Sequence, residues 1–193
     1  MNQDHVDRAR AHWNETHAAP EVEIHDNIFS HPMVHAYASL RAFGDLIGQL
    51  DAVVVALKER TRPGDEILSV GCGLAIKERT IAAALPDRRF LAIDIADRTL
   101  ATAREQIAAA GIRNLHLELG DFNKLNLDAD RFACVLGLGA IHHIEALEDF
   151  WQQCRRGLRP GGSVLAQEYI GPDRFQWTEA QIREGTRVLR EIV

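Results

Sequence analysis

The function classes open to this chain are narrowed first by what it lacks. No apolar run has the length of a membrane span, and the polar opening Met1-Asn-Gln-Asp-His has no signal-peptide core, so no membrane partner and a cytoplasmic location are expected. Cysteine is scarce. Cys72, Cys134 and Cys154 are odd in number and form no Cys-x-x-Cys pair, which predicts reduced thiols rather than a disulfide framework. Positive charge is not in excess either. A formal net charge of −6 argues against a broad nucleic-acid or anionic-membrane footprint. Internal repeats and low-complexity tracts are absent. His5, His12, His17, His25, His31 and His35 crowd the first 35 residues, but at loose spacing and with no cysteine beside them, so no metal site is expected.

What is present fits one soluble domain with an appendage: 193 residues, 46% hydrophobic and 26% charged, too few for two full domains. The expected division is a helical segment over 1–60, lying as a lid on the substrate side, and a compact body over 61–193. In the first part Trp13, Ile28, Phe29 and Met33 offer apolar contacts for a lid or a docked substrate; a loose terminus is the plainer alternative. Leu40, Phe43, Ile47, Leu50, Val54 and Leu57 recur at steps of three and four, which predicts one amphipathic helix from Tyr37 to Lys58. Gly44 and Gly48 weaken it, and Arg62-Pro63-Gly64-Asp65 ends the helical region.

The chain is organised around Glu66-Ile-Leu-Ser-Val-Gly-Cys-Gly-Leu-Ala75. Ile67, Leu68 and Val70 suit a buried parallel strand, Gly71 and Gly73 permit a sharp turn, and Ile76 to Leu85 reads as a helix closed by Pro86. Bare backbone N–H groups at such a turn suit a carboxylate or a phosphate, and hence a nucleotide-like cofactor. Four more strands are expected: Arg89–Asp94, Leu115–Leu119, Phe132–Leu138 and Ser163–Tyr169. Between them lie a helix carrying Leu100, Ala103 and Ile107, capped by Asp97 and stopped by Gly111, and one carrying Leu147, Phe150, Trp151, Cys154 and Leu158, stopped by Arg159-Pro-Gly-Gly162. A last helix starts near Thr178, with Ile182, Leu189 and Ile192 on one face. Alternating strands and helices mean an α/β fold: a Rossmann-like, doubly wound, mostly parallel sheet of about five strands.

Ligands of such a sheet sit outside the C-terminal ends of its strands. Asp94 ends the second strand about 20 residues after Gly73, where an acid can accept from both hydroxyls of a ribose. Asp121 ends the third and can accept from an exocyclic amine, with Phe122 placed to lie against a base. Either acid alone is as easily a helix cap; together, beside a glycine turn, they point to a site. A dinucleotide would require a third glycine where Ile76 stands, so NAD and FAD are disfavoured.

Ile67-Leu-Ser-Val-Gly-Cys-Gly, Ala92-Ile-Asp-Ile95, Gly120-Asp-Phe, Ala140-Ile-His-His-Ile, Leu158-Arg-Pro-Gly-Gly and Glu168-Tyr-Ile-Gly-Pro, in this order, resemble the class I S-adenosylmethionine-dependent methyltransferases of small-molecule type. The resemblance covers Ile67 to Arg174. It implies S-adenosyl-L-methionine as cofactor, S-adenosyl-L-homocysteine as its product, and methyl transfer to a small-molecule acceptor. It further implies that Gly71, Cys72 and Gly73 pass under the methionine moiety, Asp94 and Ile95 flank the ribose, Asp121 and Phe122 the adenine, and the backbone at Leu138 the methionyl end. The competing reading is a cofactor-binding protein, or a fragment, without transferase activity.

Several positions depart from the family pattern. Ser69 stands where an acid usually helps fix the methionine ammonium, Ala75 replaces a common third glycine, and Cys134 falls near a usual aspartate. Two further strands normally follow the fifth, and only residues 173–193 remain after Pro172. The exposed edge of the fifth strand is therefore expected to pair with a second copy. For catalysis His142 and His143 are best placed to touch the acceptor, if they do not merely cap the next helix, and Glu168 is a possible base or a structural carboxylate. Arg174 and Trp177 either line an acceptor pocket or pack the last helix, and Lys77-Glu78-Arg79 reads as a solvated helical turn. Nucleic acid as acceptor is not expected, because no Asn-Pro-Pro-Tyr-like stretch follows the fourth strand.

Overall fold

The computed structural model describes residues 3–16, 37, 39–41, 44, 47–168 and 178–192. The elements in chain order are α1 (Gln3–Thr16), α2 (Gln49–Arg60), β1 (Glu66–Val70), α3 (Ile76–Ala84), β2 (Arg89–Asp94), α4 (Asp97–Ala109), β3 (Leu115–Leu119), β4 (Phe132–Leu138), α5 (Leu147–Gly157), β5 (Leu158–Gln167) and α6 (Glu179–Ile192). Single 3₁₀ turns, Phe122–Lys124 and Ile141–His143, follow β3 and β4. The five strands pair in the order β3-β2-β1-β4-β5, all parallel. This is a Rossmann-like doubly wound sheet, and the chain reverses its direction of travel across it between β1 and β4, the place where such folds open a crevice.

Strand periodicity sorts the core into two layers. Ile67, Phe90, Cys134 and Leu136 face Leu57 of α2, Ile81 of α3 and Leu100 of α4, whereas Leu68, Val70, Leu91, Ile93 and Val135 face Phe150 and Cys154 of α5. β4 is buried at every residue, as its unbroken apolar run predicts. All three thiols are free and buried.

Three local expectations need correction. The helix expected over Tyr37–Lys58 is not continuous: Gly44 adopts φ 72, and Gly48 is extended (φ −60, ψ 145) as N-cap of α2. Two glycines so close supply conformations that a helix interior excludes, and they outweigh the apolar stripe. β5 does not wait for Ser163. It begins at Leu158 directly after α5, with an irregular register between Phe132 and Cys134 that absorbs Pro160 and the left-handed Gly161 (φ 78). Asp97 is not the cap of α4. The N-cap is Ala96, and the capping oxygen comes from α1, where Asn14 Oδ1 accepts from Arg98 N at 3.1 Å and Thr99 N at 3.4 Å. Tyr169, Arg174, Trp177, Ile28, Phe29 and Met33 lie outside the described residues.

Candidate active site

The glycine turn after β1 is built by close approach. Gly71 has φ 66, and a Cβ there would collide with Cβ of Ala140 while meeting Cε1 of Phe122 at 3.3 Å. Gly71 N donates to Ile93 O at 2.8 Å, and Gly73 N donates to Asp94 Oδ2 at 2.7 Å. The other Asp94 oxygen accepts from Ala96 N at 2.9 Å. One buried carboxylate thus ties the ends of β1 and β2 together, and each of its oxygens keeps a further lone pair.

A cavity of about 250 Å³ opens here. Among its lining residues are Gly71, Cys72, Gly73, Asp94, Ile95, Phe122, Leu138 and His143, all anticipated from the sequence. Asp121, His142 and Glu168 stand beside it rather than on its wall. Asp121 caps the first 3₁₀ turn through Oδ1, which accepts from Asn123 N at 3.0 Å. Its Oδ2 is buried and makes no hydrogen bond, with the Lys124 ammonium 3.6 Å away. A buried acceptor with spare capacity is what an exocyclic amine requires.

Beside the cavity, behind its lining residue Ala140, Glu168 Oε1 accepts from Ala140 N (2.8 Å) and Ile141 N (2.7 Å), and Oε2 lies 2.7 Å from His142 Nδ1. Burial opposes ionisation of Glu168, but His142 and the two backbone donors outweigh it and hold the carboxyl below its ordinary value. His143, tilted against His142 with ring centroids 4.0 Å apart, meets Trp13 of α1 edge-on at 5.2 Å. Burial and the neighbouring His142 depress the pKa of His143. Cys72 is no nucleophile: burial, then Glu78 and Asp94, push its thiol well above the usual range.

Trp13, read from the sequence as a contact for a lid or a docked substrate, lines the cavity, whereas Lys77 and Glu78, which also line it, were passed over. Lys77-Glu78-Arg79 is not a solvated turn. Glu78 is 3% exposed and accepts from Ser69 Oγ at 2.8 Å, while Lys77 Nζ reaches over to donate to Leu138 O at 2.7 Å. The available signal was Ser69 itself, a hydroxyl on an otherwise apolar buried strand that needs a partner. Among the described residues no group of three metal-ligating side chains exists, and no helix is long and apolar enough to cross a membrane.

Residues 67–162 match the methyltransferase-domain family. The chain belongs to the class I S-adenosylmethionine-dependent methyltransferases. The cofactor of this family is S-adenosyl-L-methionine, and the spare acceptor capacity of Asp121 and Asp94 beside a glycine turn that bears no side chain but that of Cys72 fits it. The methyltransferase chain is 27% identical over 136 residues to a sterol 24-C-methyltransferase of Kluyveromyces lactis, covering 67% of this chain and 35% of that one. It is 30% identical over 113 residues to a demethylmenaquinone methyltransferase of Symbiobacterium thermophilum, covering 58% and 45%. In fold it is similar to phosphoethanolamine N-methyltransferase 2 of Haemonchus contortus, solved in complex with S-adenosyl-L-methionine: TM-score 0.57, 19% identity, 86% of this chain and 39% of that one. The chain spans less than half the length of each of these proteins.

Proposed function

We propose that this chain transfers the methyl group of S-adenosyl-L-methionine to a small-molecule acceptor, with His142 as the group that handles the acceptor's proton. The observation that carries the reading is the Glu168–His142 pair, 2.7 Å long, beside a cavity walled by the glycine turn, Asp94 and the neighbouring His143. When bound, the cofactor supplies an electrophilic methyl group on a sulfonium. Asp94 would accept from the ribose hydroxyls with Ile95 alongside, Asp121 would accept from the adenine amine against Phe122, and the Leu138 carbonyl would receive the methionyl ammonium. Gly71, Cys72 and Gly73 leave room for the methionine chain.

Glu168 is a positioning residue in this reading. Its anchored carboxylate holds the proton of His142 on Nδ1, so that Nε2 is free to take a proton from an acceptor hydroxyl or amine. His143, neutral by its depressed pKa, packs with Trp13 to exclude water. α1 serves as the lid of the N-terminal segment (1–60) over the body (61–193), supported by Arg10 Nε on Ile95 O at 3.2 Å and by Asn14 on α4. A neutral acceptor is supported by the names of the sterol and demethylmenaquinone relatives and by the net charge of −6. Residence in the cytoplasm is supported by the three free thiols. A homodimer through the outer edge of β5 is supported by the sheet order, which places no described strand beyond it.

The test is incubation with methyl-labelled S-adenosylmethionine and a panel of sterols, quinols and small amines. Acceptor-dependent formation of S-adenosylhomocysteine, abolished in His142→Ala, is expected. Cofactor binding without turnover on any acceptor would favour the binding-protein reading, which the serine at position 69 already suggests.

A further inference from the structure

The wall of the cavity carries two adjacent residues of opposite charge that neither fold nor transfer chemistry explains. Glu78 and Lys77 are neighbours in the first turn of α3, and both line the cavity, although one is buried and the other reaches in from the surface. A buried carboxylate is tolerated only with partners, and Ser69 Oγ supplies one bond to Oε1. Lys77 could extend into water, yet its ammonium sits on the Leu138 carbonyl at 2.7 Å, 3.6 Å from where a Cβ on Gly139 would stand. An ammonium already occupies the acceptor that ends β4. That carbonyl cannot neutralise it, and Leu138 O is its one hydrogen-bond acceptor among the described residues, which leaves donors for an anion.

We propose that Glu78 and Lys77 together read the zwitterionic amino-acid end of the cofactor, Glu78 pairing with its ammonium and Lys77 with its carboxylate. The inference rests on the cofactor assignment and deepens it. The β1 residue beside the turn is a serine, and its hydroxyl turns away from solvent to hold Glu78 in place, so the negative charge enters the cavity from the helix rather than the strand. In the free protein Lys77 holds the place of the ligand ammonium on Leu138 O. A ligand bearing both charges displaces it there and offers it a carboxylate in return. Adenosyl compounds that lack one charge should therefore bind less well, each for a different reason.

The test is calorimetric titration of three ligands: S-adenosylhomocysteine, its decarboxylated analogue S-adenosyl-3-thiopropylamine, and methylthioadenosine, which lacks both charges. Each is titrated into the whole chain and into Lys77→Met and Glu78→Gln. The glutamine keeps an acceptor for Ser69, and melting curves verify folding. Lys77→Met should weaken S-adenosylhomocysteine about tenfold or more, and should tighten the decarboxylated amine, whose ammonium then has no rival for the Leu138 carbonyl. Glu78→Gln should weaken both amine-bearing ligands and spare methylthioadenosine. Equal losses across all three ligands, or no loss in either folded variant, would overturn the charge reading while leaving the cofactor reading intact. Failure of the unmodified chain to bind any of the three would contradict the cofactor reading, and the charge reading with it.

Discussion

Asp94 shows how one side chain can be both structural and functional: it closes the glycine turn through Gly73 N and Ala96 N while facing the cavity. Asp121 is less encumbered, and its test is cleaner. An asparagine there must give its oxygen to Asn123 N, turning its NH₂ toward the adenine amine, donor against donor. Asp121→Asn should weaken S-adenosylhomocysteine about tenfold by calorimetry with little change in melting temperature. Glu78 makes the opposite kind of claim. Burial raises its pKa above 4.5, so the folded state binds more protons than the unfolded one as pH rises past that value, and stability falls through the window up to the folded pKa. Glu78→Gln should therefore gain in melting temperature over the unmodified chain as pH rises from 4.5 to 8, with the difference closing below pH 4.5. Glu168 acts with the reverse sign. Its lowered pKa adds stability above 4.5 that is lost as pH falls through the folded value, an acid limb that Glu168→Gln should flatten in melts from pH 6 to 3.

At the scale of elements, α1 is fastened to the body by Asn14 on the start of α4, Arg10 on Ile95 O, Thr99 Oγ1 on Trp13 O and Trp13 against His143, with Val6 buried. Asn14→Ala removes the cap of α4 and the fastening of α1 in one change, at a cost of about 1 kcal/mol. Hydrogen exchange should speed up in α1 and at Arg98 and Thr99 but not in β1 or β4; uniform change would deny α1 a separate latch. The bounds of β2, β3 and β4 were legible because β2 and β4 are short apolar runs and β3 alternates apolar and polar residues, each between turn signals, and such patterns need no tertiary information. The break near Gly44 and the early start of β5 were not. In both places an apolar stripe or a turn signal competed with backbone geometry, and the sequence alone does not weigh the two. The cap of α4 was hidden for a different reason, since Asn14 is more than eighty positions away.

For the whole molecule, the order β3-β2-β1-β4-β5 brings to one crevice residues that are scattered along the chain. The glycine turn, Asp94, Phe122, Leu138 and His143 were foreseeable, because a parallel sheet places its ligand at the carboxyl ends of its strands. Lys77 and Glu78 were not, because a charged helical turn looks solvated until the position of the strand beneath it is known. β5 is the outer strand among the described residues, and light scattering of the whole chain should give twice the monomer mass; a monomer at high concentration would contradict pairing at that edge. The most direct test of the account is titration of S-adenosylhomocysteine into this chain and into Asp94→Ala. The account predicts micromolar binding that the mutant loses by about a hundredfold while remaining folded. A folded chain that binds no S-adenosylhomocysteine, or binds it equally well without Asp94, would contradict it.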